Sequence, residues 1–545
     1  MLSSRAHTFG WLFALILLPN LASPAETEAR LWRVMELEFT SNQDYERPMD
    51  VELTAQFTGP DGSRLNVPGY WDGENAWKIR FTPTRPGKWT YVTRCSRIDD
   101  SGLHDQHGMV HALPASDDNP LFKHGGFLKV SKNKQYLTYS DGTPFFWLGD
   151  TWWFCPSKLC PIEGSSNPKK YPSMFKALVD TRESQGFTVA QMAFLGPTNT
   201  PVPHLNPRQW TQANIDFWRG ADEYISYANE AGIMPVMGVG FHRDLDKPSL
   251  EDLKLLWRYM VASYGAFAVT WLIMGEYSMG ADAARIKKIM ALGQFIKDID
   301  PYKRAMSIHP ENTGAEHRVA WNQPWYDFIM NQCGHPEDRV PSIDIYLYPH
   351  AFGLKGTKPV LETECNYEGI RGKTADRVRL VAYRAIQSGS FGYTYGAHGL
   401  WYPTQSIVDK TFWMFGVSPP WWEALKRPGA EQMGYLRQAY ESVNWWELEA
   451  RPQAVTTALP LPKGQRILTK ASGDKVFLIY FPKGLDPMTE TLLQGTDRRG
   501  AYSAEWFNPR NGTWQTANPG MVDGRLPPRP DDEDWILILR KRDIS

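Results

Sequence analysis

Met234-Pro-Val-Met-Gly-Val239 is a short apolar run, Leu253 to Ser263 has helical periodicity and stops at Gly265, and Thr270-Trp-Leu-Ile-Met274 is apolar again. Strand, helix, strand in that order is a parallel βαβ unit, since parallel neighbours need a crossover between them. The unit repeats in both directions. Apolar runs occur at Phe145–Leu148, Val189–Met192, Met234–Val239, Thr270–Met274, Ala305–Ile308, Phe328–Met330, Pro359–Leu361 and Gly392–Tyr395. Helical segments lie between them: Met174 to Glu183 closes at Gly186, Ile215 to Ala231 stops at Gly232, and Ala283 to Asp298 stops before Pro301. Eight such runs predict a closed (β/α)8 TIM barrel over residues 120–445, with a doubly wound open sheet as the alternative.

Outside this span the period changes. Residues 26–114 carry short alternating runs broken by turn signals, as in Val51-Glu-Leu-Thr-Ala-Gln-Phe57, Gly59-Pro-Asp-Gly62 and Trp77-Lys-Ile-Arg-Phe81. They predict an antiparallel N-terminal β-sandwich, joined to the barrel by the linker Pro114 to Pro120. Alternation returns at residues 452–542, with Lys475 to Phe481, Ala501 to Phe507, the hairpin signal Asn511-Gly512, and Trp535 to Leu539, which predict a C-terminal antiparallel β-domain. A chain of 545 residues exceeds what one core sustains, so several domains are expected.

The 59 Lys and Arg nearly cancel the 60 Asp and Glu. This excludes the electrostatic footprint of a nucleic-acid or anionic-membrane binder and suits a neutral substrate. Aromatic residues reach 13%, with 23 Trp, and flat amphipathic rings fit the apolar faces of sugars as well as they fit cores. Arg5, the apolar run Phe9 to Pro19 and the small residues Ser23-Pro24-Ala25 read as an export signal over residues 1–25, implying a periplasmic or secreted protein; an uncleaved anchor is the alternative. No later segment has the length of a membrane span. Among the five cysteines, Cys155 and Cys160 are spaced for a loop staple in an oxidising compartment, and Cys333 and Cys365 would be neighbours in the barrel. Neither a CxxC nor a paired Cys/His spacing is present, so no metal and no cofactor are expected.

Barrel active sites lie at the C-terminal ends of the strands. The polar residues there are Asp150, Gln191, His242, Glu276, His309, Gln332, His335, Glu362 or Glu364, and His398 with Trp401. Two carboxylates stand out: Glu276 ends Trp271-Leu-Ile-Met-Gly-Glu276, and Glu364 ends Pro359-Val-Leu-Glu-Thr-Glu364. Hydrolysis of a glycosidic bond needs one carboxyl group to protonate the leaving oxygen and another to trap or stabilise the oxocarbenium-like centre. Strands 4 and 7 face each other across a barrel mouth, so Glu276 is assigned acid/base and Glu364 nucleophile, as a retaining enzyme requires. Glu362 competes for the second role; with period two it shares a face with Glu364, and the later residue lies nearer the mouth. Trp152, Trp153, Tyr367 and Trp401 are candidates for a sugar platform, and His309, His335 and His398 for hydroxyl binding. A catalytically inactive carbohydrate- or matrix-binding protein and a polysaccharide lyase are the competing readings, and an inverting hydrolase is open as well.

The runs Asp141 to Trp152, Trp271 to Tyr277, Lys358 to Gly369 and Tyr393 to Trp401 resemble the apiosidase-like (DUF4038) barrel of glycoside hydrolases. Arg30 to Leu113 resembles the DUF5060 β-sandwich, and the tail with Glu505-Trp-Phe-Asn-Pro-Arg-Asn-Gly512 resembles a β-domain named for collagen binding. The resemblance implies catalysis by Glu276 and Glu364, a pocket lined by Asp150, Gln332, His335 and His398, and a plant or algal cell-wall carbohydrate as substrate. It also exposes a departure, because the wider clan of retaining barrels places Asn before the acid/base, where this chain has Gly275. The contact that Asn makes to the sugar 2-hydroxyl would then fall to Gln191 or His242.

Overall fold

The computed structural model describes residues 26–194, 206–242, 246–311, 319–335, 358–406, 415–461, 465–496 and 502–542. The expected export signal lies outside them. The barrel strands are β1 (Trp147–Trp152), β2 (Val189–Ala193), β3 (Met234–Gly238), β4 (Thr270–Leu272), β5 (Met306–Ser307), β6 (Ile329–Gly334), β7 (Val360–Cys365) and β8 (Gly392–Tyr395). Their ladder runs β5-β4-β3-β2-β1-β8-β7-β6, and every paired neighbour is parallel. Between the two end strands, Asp327 N–H donates to the Met306 carbonyl at 3.0 Å and Ser307 Oγ to the Phe328 carbonyl at 2.7 Å. The sheet thus comes round to a nearly closed barrel.

Two cores follow from this closure. Trp147, Val189, Met234, Val236, Leu272, Phe328, Met330 and Leu361 fill the interior, and Leu121, Leu128, Leu137 and Phe145 pack onto them from below. A larger core lies between the strands and the helices, α1 (Met174–Ser184), α2 (Gln212–Glu230), α3 (Leu250–Tyr264), α4 (Ala283–Ile299), α5 (Ala375–Gln387) and α6 (Pro428–Glu441). Both faces of each strand are therefore buried, which is why the runs read as continuously apolar. Ser173 and Asp282 cap α1 and α4 by accepting backbone N–H groups, and Ser249 closes a capping box with Asp252 at the start of α3.

The N-terminal sandwich pairs a five-stranded with a three-stranded sheet around stacked Phe57 and Phe81, whose ring centroids lie 3.9 Å apart. One strand departs from the antiparallel expectation: Glu26–Arg30 runs parallel to His107–Leu113 at the sheet edge. The sandwich is fastened to the barrel by Arg80, which donates to Asp222 at 2.9 Å and to the Ser263 carbonyl at 2.8 Å. At the other end a six-stranded antiparallel sheet packs on α5, where Arg379 pairs with Asp534 at 2.8 Å and Tyr383 stacks on Tyr480 at 4.7 Å. Cys155 and Cys160 form a disulfide in the loop after β1. Among the described residues, no helix is long and apolar enough to cross a membrane.

Candidate active site

The strand ladder continues past β3 and β4 into the mouth. Phe241 bridges Gly275, His242 N–H donates to the Gly275 carbonyl at 3.1 Å, and Tyr277 N–H donates to the His309 carbonyl at 3.2 Å. His242, Glu276 and His309 therefore stand on adjacent strand ends. Gly275 is fixed by packing: a Cβ there would lie 2.7 Å from the Phe241 ring, so the Asn of related barrels has no room. The only signal of Phe241 in the sequence is the Gly that accommodates it. Glu276 itself holds a left-handed backbone, φ 49°, as does Asn366 just after β7. Non-glycine residues persist in that region only when their surroundings over-determine them, and such positions gather at functional sites.

Glu364 is the more enclosed carboxylate. Tyr367 N–H donates to His335 Nδ1 at 3.2 Å, which leaves the proton on Nε2 to be donated to Glu364 Oε1, also at 3.2 Å. His309 Nε2 lies 3.6 Å from Glu364 Oε2. Burial alone would push the Glu364 carboxyl up, but the hydrogen bond from His335, then the electrostatic pull of the His335 and His309 rings, outweigh it and hold it below the ordinary 4.5. Glu276 stands across from this group, with the Gln332 amide 3.5 Å from Oε1 and His242 Nδ1 3.8 Å from Oε2. Gln332 is also the backbone register partner of Glu364 on the neighbouring strand. Aromatic rings complete the wall. Trp153 stands edge-on to His309 at 5.3 Å and to Phe241 at 5.7 Å, and its Nε1 donates to Tyr367 OH at 3.2 Å. Tyr367 in turn stacks obliquely on His335 at 4.4 Å and neighbours Trp401 at 6.5 Å. His398 is buried beside them after β8.

Four residues expected at the mouth stand apart from it: Asp150, Trp152, Gln191 and Glu362. Asp150 is fully buried against α1 in an ion pair with Arg182 at 2.6 Å, and Trp152 donates to that same carboxylate. Gln191 lies inside the barrel, accepting from Thr394 Oγ1 at 2.9 Å and donating to the Thr363 carbonyl at 3.3 Å. Glu362 corrects the alternation argument. It does not share a face with Glu364: its carboxylate accepts from Asn331 Nδ2 and Cys333 Sγ, both at 3.1 Å, under the strand rather than in the mouth. The cause is a double register shift. Asn331 pairs with Glu362, Gln332 with Glu364 and Gly334 with Cys365, so one extra residue sits first on β7 and then on β6.

Over residues 131–447 the chain matches the model of the "Apiosidase-like, catalytic domain". The chain belongs to the apiosidase-like family. Residues 28–96 of this apiosidase-like glycoside hydrolase match DUF5060, a domain of unknown function, and residues 454–540 match the "Putative collagen-binding domain of a collagenase". Among solved structures it is similar to a protein of Bacteroides vulgatus ATCC 8482 described as a "putative glycoside hydrolase", with TM-score 0.71 and 19% identity over 95% of this chain and 100% of that one. It is also similar to a glycoside hydrolase at TM-score 0.64 and 22% identity, over 77% of this chain and 98% of that one. A glycoside hydrolase family 5 protein of the same Bacteroides strain gives 0.63 and 21%, over 77% and 94%. These likenesses concern the fold. A comparison with curated proteins gives no match.

The histidines of the apiosidase-like mouth carry a pH signature. Burial drives His309 below its ordinary 6.5 against the pull of Glu364, and burial drives His398 down to about 4. In both cases the unfolded chain takes up a proton that the fold refuses, so stability is full above pH 6.5 and declines as pH falls toward 4. Glu364, also lowered, adds its own loss only below 4.5. Thermal scans should show the midpoint dropping from pH 7 to pH 5, and His398→Gln should flatten that drop. A flat profile in the parent protein would contradict it.

Proposed function

We propose that this chain is an exported retaining glycoside hydrolase of plant or algal cell-wall polysaccharide or oligosaccharide, with Glu276 as acid/base and Glu364 as nucleophile. The observation that carries the reading is the contrast between the two carboxylates. Glu364 is held ionised by two histidines, whereas Glu276 lies at the opening with 25% of its side chain exposed, within reach of a leaving group and of water. Glu364 attacks the anomeric carbon as Glu276 gives its proton to the glycosidic oxygen, leaving a glycosyl ester on Glu364. Glu276, now ionised, takes a proton from water, which attacks the same carbon and frees Glu364. Trp153 and Tyr367 offer rings to the sugar, and His398 and Gln332 offer polar atoms beside it. Export is supported by the N-terminal sequence and by the Cys155–Cys160 bridge, which suits an oxidising compartment.

The test is incubation with pectic, hemicellulosic and algal glycans, with the released sugars identified and the first-formed anomer read by proton NMR. Release with retained configuration is expected. Glu276→Gln should lower kcat by roughly 10²- to 10⁴-fold and leave glycan binding intact. An ultraviolet-absorbing unsaturated product would mark a lyase, an inverted anomer would remove the nucleophile role, and binding without release would reduce the protein to a lectin.

A further inference from the structure

Beneath the catalytic strand ends, the same register shift that separates Glu362 from Glu364 gathers a second set of side chains. The Sγ atoms of Cys333 and Cys365 and a carboxylate oxygen of Glu362 all lie within 4.8 Å of one another, with Cys365 and Glu362 buried and Cys333 half-buried, and neither cysteine is in a disulfide. We propose that this triad is a structural site for a borderline divalent cation of the zinc type, pinning β6 to β7 behind the active site.

The donor chemistry fits. Two thiolates and a carboxylate suit zinc, whose bonds of about 2.3 Å to sulfur and 2.0 to 2.2 Å to oxygen set donor-to-donor edges of roughly 3.5 to 3.8 Å in a tetrahedron. The edges here start at 3.1 Å, between Cys333 Sγ and Glu362 Oε2, and end below 4.8 Å, so an ion enters with small side-chain adjustments. A fourth donor is at hand. The Asn366 amide is fully buried, with its Nδ2 3.2 Å from Cys365 Sγ and its Oδ1 without a hydrogen-bond partner. Turning the amide by half a rotation brings that oxygen to the sulfur side, and oxygen and nitrogen of an amide exchange places at no steric cost.

The surroundings support an ion as well. Asn331 Nδ2 donates to Glu362 Oε2 at 3.1 Å, and Glu364 N–H donates to Glu362 Oε1 at 3.3 Å, which orients the carboxylate. Tyr393 OH donates to the Cys365 carbonyl at 3.0 Å and holds that strand end. Arg377 acts electrostatically on Cys365. Two thiolates, a carboxylate, a divalent cation and this guanidinium sum to zero, as a buried cluster requires. No zinc spacing is visible in the sequence because the donors come from two strands and meet only through the double bulge. The consequence for the active site is positional: Gln332, His335 and Glu364 all hang on the segment that the ion would clamp.

The experiment uses untagged, full-length protein purified without chelator. Elemental analysis should find about one zinc per chain, falling to trace in Cys333→Ser/Cys365→Ser. Exchange for Co(II) should produce thiolate-to-cobalt charge-transfer absorption in the near ultraviolet and the intense visible bands of tetrahedral cobalt, with both lost in Glu362→Gln or the double serine variant. Because zinc content and the cobalt spectrum are read on the parent protein, a variant that fails to fold leaves the test intact. Metal below one tenth of an equivalent even after incubation with zinc would overturn the proposal, as would peptide mapping that finds Cys333 joined to Cys365 in addition to the Cys155–Cys160 bridge.

Discussion

Glu364→Gln is expected to lower kcat by roughly four orders of magnitude or more while the protein still folds and binds glycan. The substitution keeps the side chain's size and one acceptor oxygen, so the His335 Nε2–H···Oε1 contact survives and the mouth keeps its shape. What disappears is the charge and the nucleophilic oxygen, and an amide cannot form the glycosyl intermediate. Removing the group altogether, in Glu364→Gly, opens space beside the anomeric carbon, where azide should restore turnover and yield a glycosyl azide of inverted configuration. At Glu276 the same rescue should give the retained azide, because azide then attacks the intermediate rather than replacing the nucleophile. Activity within tenfold of the parent after Glu364→Gln would end the assignment, and rescue with the two configurations exchanged would swap the roles.

How far the sequence disclosed this arrangement depends on which face of a strand is in question. The eight apolar runs place the barrel strands, because each core demands continuous apolar sequence from strands buried on both sides. That same property hides direction. Trp147 to Trp152 is buried throughout, so nothing in its composition tells Asp150, which faces α1, from Thr151 or Trp153, which follow the interior-facing positions. Gln191 was misplaced in depth rather than direction: it points inward but sits below the mouth, held by Thr394. At β7 the obstacle was different. Period two is a rule for regular strands, and an extra residue in the pairing of Glu362 to Glu364 puts two residues of nominally equal parity on opposite sides. Cys333 and Cys365 were rightly expected to be neighbours, but the carboxylate between them could not be read from spacing.

Asp150→Asn is expected to lower the barrel's thermal midpoint by roughly 10 °C, with kcat and KM at 25 °C nearly unchanged. Both partners of the Asp150–Arg182 pair are fully shielded from water, and the pair is tied in further by Thr151 N–H on Asp150 Oδ1 at 2.8 Å and by Gln185 on Arg182 at 2.8 Å. The guanidinium also lies over the Phe187 and Tyr395 rings, at 5.3 and 5.5 Å. Neutralising the carboxylate leaves that guanidinium buried without its countercharge, a loss of about 3–5 kcal/mol when one partner of a buried pair is removed. Arg182→Met exchanges the cation for an apolar chain of comparable length but strands the carboxylate. The double change removes both charges, so it should cost less than the sum of the single ones. A pocket-lining role for Asp150, which the family resemblance implies, makes the opposite forecast: KM would rise severalfold and the thermal midpoint would hardly move. Calorimetry beside steady-state kinetics on the one variant therefore decides whether β1 contributes to substrate binding through Asp150, or reaches the mouth only through Trp153.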